Sequence, residues 1–337
     1  MKSWRISSFG IDNLEVFDSP IPKAGPGQVV VRVKAVSLNY RDLRMVTGLY
    51  DPRLAMPRIP CSDGSGEIVE VGEAVSDVKP GDRVAGIFMQ RWLDGPPSAA
   101  KQLAALGGDV DGMLAEFVLL DASGVVGIPP QLSYEEAATL PCAGVTAWNA
   151  VVTKGSIKPG DTVVIQGTGG VSIFALQFAK LLGARVLGTS SSDEKLVRAK
   201  MLGLDAGVNY KTQADWADWI RRQTNGEGAD LVVEVGGSGT FAQSLKALRI
   251  GGMVAQIGVL SQSSEPLQIA PILHKQVQVH GIYVGSKAHF LAMNRAIEQN
   301  GLKPVVDSVF EFEDARSAFH AIEHASHVGK IVIKVGS

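Results

Sequence analysis

The stretch from Thr162 to Ser172, TVVIQGTGGVS, constrains the fold more than any other part of the chain. β-prone residues run straight into a glycine-rich turn, and an apolar helix pattern follows through Ile173, Phe174, Leu176, Phe178 and Leu181. Strand, glycine turn and helix in that order are what a bound pyrophosphate requires. Gly167 permits the tight turn, and Gly169 leaves room for the backbone to approach phosphate. The helix N-terminus supplies free N–H groups and the positive end of its dipole. Thr168, Gly170 and Val171 complete the candidate phosphate cradle. Ser172 stands where a third glycine is usual, so the pattern reads G-x-G-x-x-S. Such a pattern alone is weak. Its place between a strand and a helix, followed by a second strand, makes it specific.

A length of 337 residues fits two domains of ordinary size, and 45% hydrophobic residues suffice for a sizeable core. The net charge is −2 with Lys and Arg scattered, which favours no nucleic-acid surface. No apolar run approaches the ~20 residues of a membrane span, and the first ten residues do not read as a signal peptide. A soluble, cytoplasmic protein is expected, with no membrane or nucleic-acid partner. The chain has 2 cysteines, Cys61 and Cys142, which excludes a disulfide framework and a four-cysteine structural zinc site.

Residues 1–125 read as short strands and turns: Val29–Val33, Glu67–Val71, Arg83–Ile87 and Ala115–Leu120. Lys79-Pro80-Gly81-Asp82 is repeated as Lys158-Pro159-Gly160-Asp161, and both read as turns feeding a strand. Residues 89–112 interrupt this module with Pro and Gly clusters, as a pocket loop or a plain surface loop would. From about 131 the rhythm changes. Ser133 to Glu136 reads as a capping box, and another helical stretch runs from Val145. Strands at 162–166, 185–189, 206–209, 230–235, 252–257 and 277–283 then alternate with helices at 171–182, 193–202, 214–224 and 239–248. Such alternation predicts a doubly wound parallel sheet of the Rossmann kind. The tail carries helices at 288–299 and 313–325 and a last strand, Lys330–Val335, expected to return to the first module.

An NAD-binding version of this fold ends its second strand with Asp or Glu. Here that strand ends in Ser190-Ser191-Ser192, with Lys195 one helical turn on and Tyr210 after the third strand. Hydroxyls and an ammonium suit a 2′-phosphate, so NADPH is expected, with NADH as the alternative. Ser192 before Asp193-Glu194 equally reads as a helix cap. Gly236, Gly258 and Val259 follow the fourth and fifth strands, where dinucleotides bind, and Gly285 and Ser286 follow the sixth. Each of these glycines reads equally as a plain turn. Lys330 is a further candidate.

Taken together, the chain resembles the medium-chain dehydrogenase/reductase superfamily, and within it the zinc-independent, quinone oxidoreductase-like branch. The residues that carry this resemblance are Asn39-Tyr40-Arg41-Asp42, Gly48-Leu49-Tyr50, Gly64-Ser65-Gly66-Glu67-Ile68-Val69, Lys79 to Val84, Ala137 to Trp148 and Gly167 to Val171. It spans essentially the whole chain. It implies a GroES-like β-rich catalytic domain at 1–130 and 285–337 and a Rossmann domain at 131–284. It also implies hydride transfer and a homodimer joined along 277–283. Thr146 is then expected to contact the nicotinamide; its hydroxyl could instead bond back within its helix.

By motif match, the catalytic zinc ligands of the superfamily's alcohol dehydrogenases fall on Asn39, Ser62 and Cys142. Catalytic zinc needs three ligands from Cys, His and carboxylate, and Asp63 with Cys142 makes two, so no metal is expected. Cys142 reads as a core thiol. His320, His324 and His327 share one helical face by spacing and read as a polar face.

Without zinc, hydrogen-bond donors must stabilise the charge that develops on hydride arrival, and a delocalised enolate asks less of them than an alkoxide. A quinone or an α,β-unsaturated carbonyl is therefore the expected small-molecule substrate. Resemblance to enoyl reductases makes Tyr50 the candidate acid, with Asn39 and Tyr40 as further donors. A packed loop tyrosine and a structural amide are the plain alternatives. An alcohol dehydrogenase or ketone reductase, and a crystallin-like protein that binds cofactor without turnover, are the rival readings.

Overall fold

A computed structural model describes residues 1–264 and 266–336. The chain divides into two compact units, Met1–Val145 with Gly285–Ser337, and Thr146–Val284.

The first unit is built on a mainly antiparallel sheet. Its strands run in the order Val306–Glu311, Lys330–Lys334, Gln28–Ser37, Asp63–Val71, Arg83–Gly86, Val125–Gly127, and Phe117–Asp121 also pairs with Gln28–Ser37. The tail does return: Ile333 lies opposite Val36 in an antiparallel pair. Strand Val306–Glu311, which the sequence reading missed, runs parallel beside it. Helix Ala315–His324 places Ala315, Ala318, Phe319 and Ile322 on the core, a spacing that keeps one face inward. That helix ends at His324 because Ala325 turns left-handed (φ 50°), so His327 does not share a face with His320 and His324. Residues 89–112 are no plain surface loop: Met89, Trp92, Ala105 and Leu106 are buried, while residues 93–100 are exposed.

Residues 131–145 pack with the first unit, not with the Rossmann sheet as expected. Ser133 does cap its helix as predicted, accepting from Glu136 N at 3.2 Å while the Glu136 carboxylate accepts from Ser133 N at 2.8 Å. That helix then lies on the antiparallel sheet. Ala138 packs with Ala35 and Val332, Ser65 Oγ donates to Tyr134 O at 2.6 Å, and Arg83 stacks over the Tyr134 ring. Contacts distant in sequence decide the boundary, which local helix signals cannot report.

The second unit holds a six-stranded, wholly parallel sheet. We number its strands β1 (Thr162–Gln166), β2 (Arg185–Ser190), β3 (Ala206–Asn209), β4 (Ala229–Glu234), β5 (Leu248–Gln256) and β6 (Gln278–Gly281). Their order is 3-2-1-4-5-6, the doubly wound arrangement. Helices α1 (Gly170–Leu181), α2 (Asp193–Met201), α3 (Trp216–Gln223) and α4 (Phe241–Ala247) make the crossovers. Val163, Val164 and Ile165 of β1 are all buried, as a strand covered on both faces must be. Among the described residues no helix is long and apolar enough to cross a membrane.

Phe178 of α1 is fully buried, stacked on Phe174 at 5.8 Å and edge-on to Trp148 at 5.3 Å. Phe178→Ala is expected to cost about 3–5 kcal/mol, read as a lower urea midpoint at unchanged slope.

Candidate active site and dinucleotide site

In the first unit a buried polar chain links Asn39, Ser62, Asp63 and Cys142, segments far apart in sequence. Asn39 precedes helix Tyr40–Val46 and donates its backbone N–H to Asp42 Oδ2 at 2.8 Å. Asp42 Oδ1 accepts from Ser62 N at 3.3 Å and lies 3.4 Å from Arg41 Nη1. Lys330, 3% exposed, donates Nζ to Leu38 O and to Asn39 Oδ1, each at 2.5 Å. An ammonium only donates, so the Asn39 carbonyl must face it, which turns the amide nitrogen toward Ser62 Oγ at 3.4 Å. Ser62 Oγ donates to Asp63 Oδ1 at 2.7 Å, and Asp63 Oδ2 accepts from Cys142 N at 3.0 Å.

Burial dominates the electrostatics here. It raises the Asp63 carboxyl to about 6, against the Lys330 ammonium and with help from Asp42. Asp42 is raised by burial, with Arg41 its main opposing charge. Burial also pushes the Cys61 and Cys142 thiols up, so both stay protonated. With an amide at Asn39 and a hydroxyl at Ser62, Asp63 and Cys142 remain as zinc-type donors, fewer than the three a catalytic zinc takes. Among the described residues no group of three or more His, Cys, Asp and Glu is placed to hold a metal ion.

Of the predicted tyrosines, Tyr50 joins this cluster through Arg41. The guanidinium lies 5.6 Å from the Tyr50 ring centre and 4.8 Å from that of Phe88, and donates to Leu106 O at 2.9 Å. Tyr50 is 42% exposed and Tyr40 43%. Tyr40 opens the helix, and no described contact ties it to the cluster.

In the second unit the glycine turn forms as expected. Gly167 (φ 67°) makes the turn and donates to Thr189 O at 2.7 Å. Gly169 has an ordinary φ of −73°, and a Cβ built there meets nothing within 4 Å. The fold therefore does not demand glycine at 169; an approaching ligand would. Thr168, Gly170, Val171 and Ser172 lie at the start of α1, whose first N–H groups have no acceptor within the helix. Ser172 Oγ donates back to Gln166 O at 2.6 Å, a bond that a third glycine could not make. Thr146 is buried at the start of this unit.

At the end of β2, Ser192 caps α2 through Lys195 N at 3.4 Å, and Ser190 Oγ accepts from Ser192 N at 3.3 Å. Ser191 and Lys195 are half-buried beside them, and Tyr210 is 43% exposed. Other predicted contacts have internal work. Gly236 N donates to Glu234 Oε1 at 2.7 Å, and Gly258 N donates to Glu234 O at 3.1 Å. A Cβ at Gly258 would lie 2.0 Å from Val235 O, so that glycine is a packing requirement. Val259 is exposed. Gly285 and Ser286 belong to the first unit, where Ser286 caps helix Lys287–Asn300. Sequence reasoning missed Gln166, Glu234 and Ser244, which form one buried network. The available signal was a carboxylate ending the otherwise apolar run LVVE.

This pairing of a six-stranded parallel nucleotide sheet with a β-rich unit completed by the chain's tail defines a pyridine nucleotide-dependent oxidoreductase. Residues 25–130 match the alcohol dehydrogenase GroES-like domain, and residues 170–299 match the zinc-binding dehydrogenase family. A zinc-type alcohol dehydrogenase-like protein of Schizosaccharomyces pombe is 44% identical over 97% of this chain and 96% of its own length. The crystal structure of an NAD-dependent alcohol dehydrogenase covers 100% of both chains at 37% identity with a TM-score of 0.92. An acryloyl-coenzyme A reductase of Metallosphaera sedula is 28% identical over 95% of this chain and 96% of its own. The chain belongs to the medium-chain dehydrogenase/reductase superfamily.

Folded Asp63 holds its proton up to about pH 6, whereas the unfolded group releases it near 3.8. The folded state thus binds more protons between those values, and the stability this group contributes is lost as pH rises through that window. Asp63→Asn is expected to flatten the decline, leaving the Asp42 contribution, in urea midpoints measured from pH 4 to 7.

Proposed function

We propose that this oxidoreductase is an NADPH-dependent reductase of quinones or α,β-unsaturated carbonyls that works with hydrogen-bond donors in place of zinc. The observation that carries this reading is the chain from Lys330 through Asn39 and Ser62 to Asp63. It fills with internal hydrogen bonds the positions where zinc relatives would place ligands. The nicotinamide would be held through Thr146, and the phosphates through residues 167–171. The Ser190–Ser192 hydroxyls and Lys195 suit a 2′-phosphate better than a bare ribose, because no carboxylate ends β2. A bound reduced nicotinamide supplies the hydride. The protein's own groups then answer the charge that results. The Asn39 amide, its carbonyl held by Lys330, donates toward an enolate oxygen. Tyr50, beside the Arg41 guanidinium, holds the proton delivered afterwards. A conjugated acceptor suits such neutral donors better than a simple ketone does. The acryloyl-coenzyme A reductase among the relatives bears that acceptor type in its name.

Purified protein is expected to oxidise NADPH in preference to NADH with an enone or a quinone, and to turn over cyclohexanone poorly. Chelation should not alter these rates, and Tyr50→Phe should lower kcat about 10²-fold. Efficient ketone turnover lost on chelation would establish the alcohol dehydrogenase reading instead. Tight NADPH binding without turnover of any acceptor would establish an idle, crystallin-like protein.

We further propose a homodimer joined along β6. That strand is the sheet edge, and Val279, Leu267, Ile269 and Leu273 stand exposed on or near it in sequence. Light scattering should give twice the 35.6 kDa chain mass, and Val279→Lys should shift it toward the monomer.

A further inference from the structure

Glu234 has no exposed surface, yet its carboxylate is fully answered. Oε1 accepts from Gly236 N at 2.7 Å, Gly237 N at 2.9 Å and Thr240 Oγ1 at 2.6 Å. Oε2 accepts from Gln166 Nε2 at 2.7 Å and from Ser244 Oγ. Gln166 in turn gives its second N–H to Ser244 Oγ at 2.8 Å and accepts at Oε1 from Val235 N and Gly236 N, each at 3.2 Å.

These side-chain bonds join two segments at the carboxyl edge of the sheet, the end of β1 and the stretch that follows β4, and a third segment joins through the backbone. Gln166 is the last residue of β1, immediately before the phosphate turn at Gly167. Residues 235–240 leave β4. The segment after β5 docks on the same loop: Ile257 N and Gly258 N donate to Glu234 O at 2.9 and 3.1 Å, and Ser261 N donates to Gly236 O at 2.7 Å. Nucleotide binding at strand ends depends on loops held in place before the ligand arrives. A buried carboxylate with five donors is a directional clamp, since losing any acceptor position leaves a buried N–H or O–H unpaired.

We infer that Glu234, paired with Gln166, is a positioning residue for the dinucleotide: it touches no cofactor but fixes the β1 and β4 loop ends, on which the segment after β5 docks through its backbone, in their binding arrangement. The inference rests on the membership of this chain in a pyridine nucleotide-binding family. Glu234→Gln turns one acceptor into a donor. Its amide nitrogen must then face either the Gly236 and Gly237 N–H groups or the Gln166 amide. The exchanged pair Glu234→Gln with Gln166→Glu restores every bond: Gln at 234 donates to the carboxylate at 166, which still accepts from Val235 and Gly236. The net charge is unchanged.

The test is fluorescence titration of the full-length protein with NADPH and with NADH, alongside circular dichroism and thermal unfolding. Glu234→Gln is expected to raise the Kd about tenfold or more, and the exchanged pair to return it to within about threefold of wild type. Thr240→Val, which removes one of the donors, should weaken binding about threefold with an unaltered spectrum, and serves if Glu234→Gln does not fold. Variants that bind as wild type does, even at a lower melting temperature, would show the carboxylate to be structural only and overturn the inference. So would an exchanged pair that folds but binds no better than the single variant. Wild-type protein that binds neither nucleotide would instead overturn the cofactor reading, and this inference with it.

Discussion

A carboxylate removed from water must collect hydrogen-bond donors or keep its proton, and both units of this protein are organised by that demand. In the second unit Glu234 gathers donors from loops that local sequence would leave free. In the first, Asp42 and Asp63 draw in backbone N–H groups from Asn39, Ser62 and Cys142. The two solutions differ. Glu234 sits among backbone and neutral side-chain donors. Asp42 and Asp63 share a pocket with Arg41 and Lys330, and burial still raises both acids.

The lysine in the first unit reaches beyond its own charge. Because Lys330 can only donate, it dictates the orientation of the Asn39 amide, and through Ser62 that of the Asp63 hydrogen bond. Asn39 is thereby a directed donor rather than an amide free to turn. Two cysteines stand in the same region, Cys61 buried and Cys142 partly exposed, and burial raises both thiols.

Local features were the most legible in the sequence. The two KPGD turns fold alike in different units: Lys79 N reaches Asp82 Oδ2 at 2.9 Å, and Lys158 N reaches Asp161 Oδ2 at 2.8 Å. The aspartate closes each turn on its own backbone, so no tertiary context is needed. The six strands of the parallel sheet were readable for a similar reason, since strands covered on both faces are short continuous apolar runs bounded by turns. The edge strand Val306–Glu311 was not readable: none of its residues is fully buried, and its pairing partner lies further along the chain. The helix starting at Tyr134 was readable, but its allegiance was not, because its partners Ala35, Ser65 and Val332 lie far away in sequence.

The sequence by itself determined the strand, glycine turn and helix at 162–181 and the doubly wound sheet around them. Each depends on residue types at fixed short spacing. Tertiary structure decided which of the candidate residues are engaged in internal contacts of the fold. It set Gly258 to packing and Ser286 to capping a helix. It revealed the bonds of Gln166 and Glu234, and it gave Lys330, a candidate for the cofactor, the partners Leu38 and Asn39 instead. Their partners lie tens to hundreds of residues away, and hydrogen-bond satisfaction in a buried space is a property of the assembled chain, not of any window along it.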